Sequence, residues 1–199
     1  MRVVLAHAPK SFRPCLAEKV VHRVATEQRI GILVGKLVPQ RLDLESALGV
    51  AVLPQQVDHF TGIDLSPGMI KQARATNLYA ELEVADMIGG LGAKSEASVN
   101  LVVAADAFVY LSDLVPVLTE ARRVLVSGGV LSCTLETHDG DGVVLGEGLR
   151  YAHSANYVRG AIGKAGLKLL TLEPASPRIE NNEPVRGLVV VAEKLESRR

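Results

Sequence analysis

After residue 58 the chain repeats one pattern: a short apolar run ends in a carboxylate, and a helix-like or Gly-rich stretch follows. HFTGID (59–64) ends at Asp64, LEVAD (82–86) at Asp86, and the nearly all-apolar VNLVVAA (99–105) runs into Asp106. Short runs alternating with helical stretches predict α/β units on a largely parallel sheet. The run 99–105 has the texture of a strand covered on both faces. The pattern bears on function as well, because ligands of doubly wound sheets sit outside the carboxyl ends of the strands. A single acid there is also what a strand-end turn favours. Three in succession point to one shared edge.

The remaining boundaries follow from local chemistry. Ser66-Pro67 supplies an N-cap and a first-turn proline, opening a helix to about Thr76 with Met69, Ile70 and Ala73 on one face. Gly89-Gly90-Leu91-Gly92 reads as a loop. A helix begins at Ser112, with Leu114, Val117, Leu118, Ala121 and Leu125 at i, i+3, i+4 spacing, and Ser127-Gly128-Gly129 stops it before a strand over 130–136. A Gly-rich loop leads to a helix over about 154–165, ended by Gly166. Strands follow over 167–173 and 187–193. Pro174, Pro177, Asn181, Asn182 and Pro184 leave no room for a helix between them, so this pair is expected to be antiparallel. The first half is less periodic: helices over about 14–28 and 45–53 and a short strand over 41–44 are the readings it allows. The expected division is an N-terminal helical or irregular segment, 1–40, and a main domain, 41–199.

Composition removes several function classes. A chain of 199 residues makes one domain, and 22 basic against 22 acidic residues give no net charge, which argues against a nucleic-acid partner. No apolar run approaches the roughly 18 residues of a membrane span. Val3 to Ala8 is too short for a signal-peptide core. Cys15 and Cys133 stand alone, and no spacing suits a metal, so the expectation is two reduced thiols in a cytoplasmic protein without a metal site. Gly31 and Gly35-Lys36 have the wrong spacing for a phosphate loop, and no G-x-S-x-G occurs.

TGIDLSPGMIKQAR resembles the segment after the nucleotide loop of class I S-adenosylmethionine-dependent methyltransferases. LEVADM resembles their next motif, and LVVAADAFVYL with EARRVLVSGGVL resembles their fourth strand, helix and fifth strand. LYAELEVAD and RYAHSANYVRGAIGKAGL are similar to segments of a TPR-type group of bacterial small-molecule methyltransferases. The resemblance covers about residues 57–194. It implies a Rossmann-like doubly wound α/β sheet of seven strands, all parallel except the last, with S-adenosylmethionine as cofactor and a small molecule as methyl acceptor. By resemblance Asp64 would hold the ribose hydroxyls. Leu65 and Met87 would flank the adenine with Asp86 near its amino group, and Ala105 and Asp106 would lie beside the methionine portion. Tyr110, Glu136 and Tyr151 are acceptor-side candidates, and His138 or His153 could serve as a general base.

The chain departs from the family at the first strand, which should end in a D-x-G-x-G-x-G loop. Here the segment reads Asp43-Leu44-Glu45-Ser46-Ala47-Leu48-Gly49, so only Asp43 and Gly49 remain as cofactor-loop candidates. The central strand is then rudimentary, or supplied by Arg2 to Ala6 or by Ile30 to Val34. Two functions follow: a methyltransferase that transfers its methyl by SN2 displacement, or a non-catalytic methyltransferase-like binding or scaffold protein. An NAD-dependent oxidoreductase would need a glycine fingerprint that is also missing.

Overall fold

Every apolar run read after residue 58 forms a strand in the computed structural model, which describes residues 2–7, 59–77, 79–146, 148–177, 179–180 and 182–196. The strands are β1 (Arg2–His7), β2 (His59–Asp64), β3 (Glu81–Val84), β4 (Val99–Ala104), β5 (Leu125–Glu136), β6 (Val143–Leu145), β7 (Tyr151–His153), β8 (Lys168–Ala175), β9 (Ile179–Glu180), β10 (Glu183–Pro184) and β11 (Gly187–Glu193). The helices are α1 (Pro67–Ala75), α2 (Met87–Gly92), α3 (Val115–Val124) and α4 (Ala155–Lys164), with a 3-10 turn at Phe108–Tyr110. The readings over 14–28, 41–44 and 45–53, and with them Ile30 to Val34, Asp43 and Gly49, lie outside the described residues.

The sheet runs β3-β2-β1-β4-β5-β11-β8. β2 and β3 are parallel, as are β4 and β5, while β11 lies antiparallel between β5 and β8 as the connection demanded. β1 fills the central place, so Arg2 to Ala6 is the segment that supplies it. It is antiparallel to both β2 and β4, contrary to the expectation that only the last strand is reversed. The ladder accepts either direction, since antiparallel pairing satisfies every backbone group as well as parallel pairing does. The consequence is positional: Arg2 is in register with Asp64 and His7 with His59, so the start of β1 reaches the carboxyl edge of the sheet. β2, β3, β4, β5 and β8 share one direction, and the fold is a mixed α/β sheet dominated by that direction.

Two local readings need correction. Gly89-Gly90-Leu91-Gly92 belongs to α2, not to a loop. Three glycines in six residues give poor intrinsic helicity, and both ends are capped. Asp86 Oδ1 accepts the amides of Ile88 (3.0 Å) and Gly89 (2.9 Å). Arg123 of α3 donates to the carbonyls of Leu91 (2.8 Å), Gly92 (3.3 Å) and Lys94 (2.9 Å). Gly90 is required by space, because a Cβ there would lie 2.6 Å from Ile63 Cγ2. The second correction is at Ser127-Gly128-Gly129, which lies within β5; α3 has already ended at Val124. Buried Lys194 donates to the Leu125 carbonyl at 2.6 Å, which satisfies the helix end directly.

The core lies between the sheet and α2, α3 and α4, where Leu91, Val102, Phe108, Leu118, Leu131 and Ile162 are buried together. Cys133 belongs to it, and burial pushes its thiol up to about 12, so it remains an unreactive thiol. Two hairpins that the sequence reading did not contain, β6–β7 and β9–β10, complete the described structure. Among the described residues no helix is long and apolar enough to cross a membrane.

Candidate functional site

The carboxyl edge of the sheet gathers the acids in spatial order: Asp86 beyond β3, Asp64 at the end of β2, Asp106 beyond β4 and Glu136 at the end of β5. Asp64 is buried, and its Oδ1 accepts the Ser66 amide at 2.7 Å. That bond fixes the strand-to-helix turn and prepares the N-cap, since Ser66 Oγ then accepts from the Met69 amide at 3.4 Å. Asp86 is exposed and spends Oδ1 on the first turn of α2. Leu65 is 59% exposed and Ile88 39% exposed, so two apolar side chains stand open beside the two acids. Met87, expected to flank a purine, points instead into the core and is 2% exposed. Capping by Asp86 sets this rotation: the residue after the cap turns inward and the next one outward. Ile88 is thus the open apolar residue that sequence reasoning missed; a helical reading of 87–92 would have found it.

Ala105 and Asp106 are half-buried. Asp106 has φ 48°, a left-handed conformation that costs a non-glycine residue of order 1 kcal/mol. Its amide donates to Thr134 Oγ1 at 2.8 Å, and Thr134 is a buried residue of β5. The 3-10 turn that follows leaves Tyr110 exposed.

Glu136 pairs in register with Ala152 of β7, which places the β6–β7 hairpin beside the end of β5. Gly187 of β11 also faces Glu136, so the β9–β10 hairpin lies at this same edge. Tyr151 and Glu136 are half-buried here. The two histidines differ. The Gly140 amide donates to Nδ1 of His138 (3.1 Å), and Nε2 lies 3.2 Å from the Gly142 carbonyl, which makes it the donor. Both ring nitrogens of His138 are therefore used by its own loop. His153 is fully buried, and its Nε2 donates to the Leu111 carbonyl at 2.8 Å. Its carbonyl accepts from Thr137 Oγ1 at 2.8 Å, and Nδ1 has no hydrogen-bond partner among the described residues. Burial, the largest influence, holds its pKa below the usual histidine value despite the Leu111 bond. The ring stacks on Tyr157 with centroids 5.5 Å apart. The Tyr157 hydroxyl accepts the Leu114 amide at 3.1 Å and donates to Asp113 Oδ1 at 3.2 Å.

The acceptor set on the β2–β3 side could hold an adenosine: carboxylates at adjacent strand ends for hydroxyl and amino groups, with Leu65 and Ile88 for the ring faces. No group of His, Cys, Asp or Glu among the described residues has the arrangement to hold a metal ion.

Residues 46–133 match the family model of the methyltransferase domain. No curated protein matches the chain in sequence. A SAM-dependent methyltransferase from Methanosarcina mazei is 15% identical, with a TM-score of 0.55 over 69% of this chain and 82% of its own. The 1,6-didemethyltoxoflavin-N1-methyltransferase of Burkholderia thailandensis, solved with its namesake compound and S-adenosylhomocysteine, is 12% identical, with a TM-score of 0.54 over 68% of this chain and 61% of its own. The [4+2]-cyclase SpnF is 15% identical, with a TM-score of 0.62 over 97% of this chain and 87% of its own. At such identities these structures establish the fold. With the domain match, they do not favour a non-catalytic scaffold. The domain match, on this shared fold, supports an S-adenosylmethionine-dependent methyltransferase.

Proposed function

We propose that this chain methylates a small molecule at the carboxyl edge of its sheet, with the cofactor on the β2–β3 side and the acceptor on the β5–β7 side. The spatial order of the edge acids carries the reading. Asp64 accepts the ribose hydroxyls, Asp86 turns its second oxygen to the adenine amino group, and Leu65 and Ile88 cover the ring, with Met87 supporting them from the core. Ala105 and Asp106 border the methionine portion, and Asp43 and Gly49 are the remaining contacts from the altered loop. Tyr110, Glu136 and Tyr151 border the acceptor.

The cofactor supplies an activated methyl group on a sulfonium. The protein's own task is to align the acceptor for in-line attack and to exclude water. Histidine basicity is secondary: His138 is spent on its loop, and His153 is fully buried. An acceptor that is already nucleophilic suits this arrangement. A small neutral or weakly charged acceptor suits a chain of zero net charge, working in the cytoplasm without nucleic acid or membrane.

Calorimetric titration of the full chain with S-adenosylhomocysteine tests the reading. Micromolar affinity, around −8 kcal/mol, is the expected result. No heat of binding from a folded sample would overturn it.

A further inference from the structure

The turn between β4 and α3 is fastened at both ends by buried side chains from elements far away in sequence. At its start, the Asp106 amide donates to Thr134 Oγ1 (2.8 Å) and the residue is held at φ 48°. At its end, the Leu111 carbonyl accepts from His153 Nε2 (2.8 Å), and the Leu114 amide donates to Tyr157, whose ring stacks on His153. α3 has no N-cap bond from Leu114 itself, so this network and Asp113 Oδ1, 2.9 Å from the Val115 amide, supply the helix start. Between the fastenings, Ala107, Phe108 and Val109 are buried and Tyr110 is exposed.

A non-glycine residue in the left-handed region persists only where its surroundings over-determine it, and such residues cluster where chemistry needs a fixed backbone. Asn77, Ala97, Leu149 and Asn182 also have positive φ, but each is exposed in a turn or bend, whereas Asp106 is half-buried and its amide is bonded to the buried Thr134. Asp106 sits at the edge where the ligand would lie. We propose that Thr134 and His153 are positioning residues that hold the Asp106–Leu111 turn in one conformation, so that Asp106 meets the cofactor and Tyr110 the acceptor without rearrangement. The proposal rests on the methyltransferase reading and gives His153 a role other than that of a base. It accounts for a fully buried imidazole fixed in the Nε2–H tautomer: the useful atom is the donor, aimed at Leu111.

Four variants of the full chain test it. Thr134→Val and His153→Leu remove the hydrogen-bonding atom, whereas Thr134→Ser and His153→Gln keep an equivalent one. Affinity for S-adenosylhomocysteine is measured by calorimetry at a temperature where all are folded. Exchange of the Asp106 and Leu114 amides is measured in the same samples. The apolar variants are expected to bind at least fivefold more weakly and to exchange at least tenfold faster at these amides; the polar ones should stay within twofold of the parent. If one apolar variant does not fold, the other carries the comparison. Equal loss of melting temperature in all four, with unchanged affinity and exchange, would show a packing role only and overturn the proposal. If the parent chain itself binds no S-adenosylhomocysteine, the methyltransferase reading fails. The exchange contrast between polar and apolar variants then still decides whether the turn is held as described.

Discussion

At the β2 end of the sheet edge, Asp64 is fixed by an amide two residues away; at the β5 end, His153 is fixed to a carbonyl 42 residues away. Asp86 is likewise anchored by amides two and three residues on, whereas Thr134 reaches across 28 residues and Tyr157 across 43. At one end these anchors are local, each within its own strand-end turn. The other end exists only after β5, β7, α4 and β11 have come together. The difference teaches where damage should stay local: a change at the β2 end acts on a proposed ligand contact directly, whereas a change at the β5 end acts through the assembly.

The largest expected effect lies at the β2 end. Asp64→Ala removes the proposed acceptor of two ribose hydroxyls. At about 2 kcal/mol for each hydrogen bond to a charged group, the loss is about 4 kcal/mol, or roughly a thousandfold in S-adenosylhomocysteine affinity. It also leaves the Ser66 amide without its acceptor, for about 1–2 kcal/mol of stability. Calorimetry beside a thermal melt separates the two losses. Affinity within tenfold of the parent would remove Asp64 from the site and break the division between the two ends.

Gly187→Ala is the counterpart at the β5 end. An added Cβ would stand 2.5 Å from the Leu135 carbonyl oxygen and also collide with Pro177, and backbone cannot yield as a flexible side chain does. Overpacking of this kind costs about 2–3 kcal/mol. The urea midpoint should fall accordingly, while S-adenosylhomocysteine affinity, read where the variant is folded, stays within threefold. A large affinity loss without a stability loss would show that the strands around Gly187, and not only the Asp106–Leu111 turn, bear on the ligand.

The same contrast explains what could be read from the chain alone. β2, the Ser66–Pro67 cap, α1, β4, α4 and the antiparallel β8–β11 pair follow from patterns within a dozen residues, and the sequence contains all of them. In sequence α2 looks like a loop because its C-terminal cap is Arg123, some 30 residues further on. Ser127-Gly128-Gly129 looks like a stop because the bond from Lys194 to the Leu125 carbonyl, 69 residues apart, has no local sign. The β6–β7 and β9–β10 strands are two or three residues each, too short for alternation to register. The direction of β1 is beyond periodicity altogether, because RVVLAH reads the same on either side of a ladder. Among the site residues, the edge acids were legible from strand ends. Thr134, Tyr157 and the outward turn of Ile88 were not, since each depends on a partner or a helix visible only in the fold.

Acid is the next lever, and it acts on the β5 end. His153 is kept neutral by burial, with its pKa below the ordinary 6.5, whereas the unfolded chain takes up that proton near 6.5. As pH falls below about 6.5 the unfolded state binds a proton that the native state refuses, so stability is lost with acidification until the native pKa is reached. His138 contributes to the lowering as a nearby charge. The urea midpoint should therefore drop between neutral pH and the native pKa of His153, and His153→Gln should flatten that part of the profile. An identical slope in the variant would assign the acid sensitivity to other groups.

The smallest expected effect belongs to the most conspicuous ion pair. Arg186 grips Asp139 with two bonds of 2.7 Å and holds its carboxyl below the usual carboxylate range, joining the loop after β5 to the approach to β11. Both side chains are exposed, so water and salt screen the attraction, and ordering two mobile side chains offsets much of what is left. The same loops are also joined by backbone, through the Thr137 amide donating to the Arg186 carbonyl at 3.1 Å, and Arg186→Ala leaves that bond in place. The melting temperature of Arg186→Ala should therefore match the parent at physiological salt and fall slightly below it only at low ionic strength. A large drop that persists in high salt would mean that the β5 end is held by charge rather than by the buried contacts of Thr134, His153 and Tyr157, and the contrast with the β2 end would have to be redrawn on electrostatic grounds.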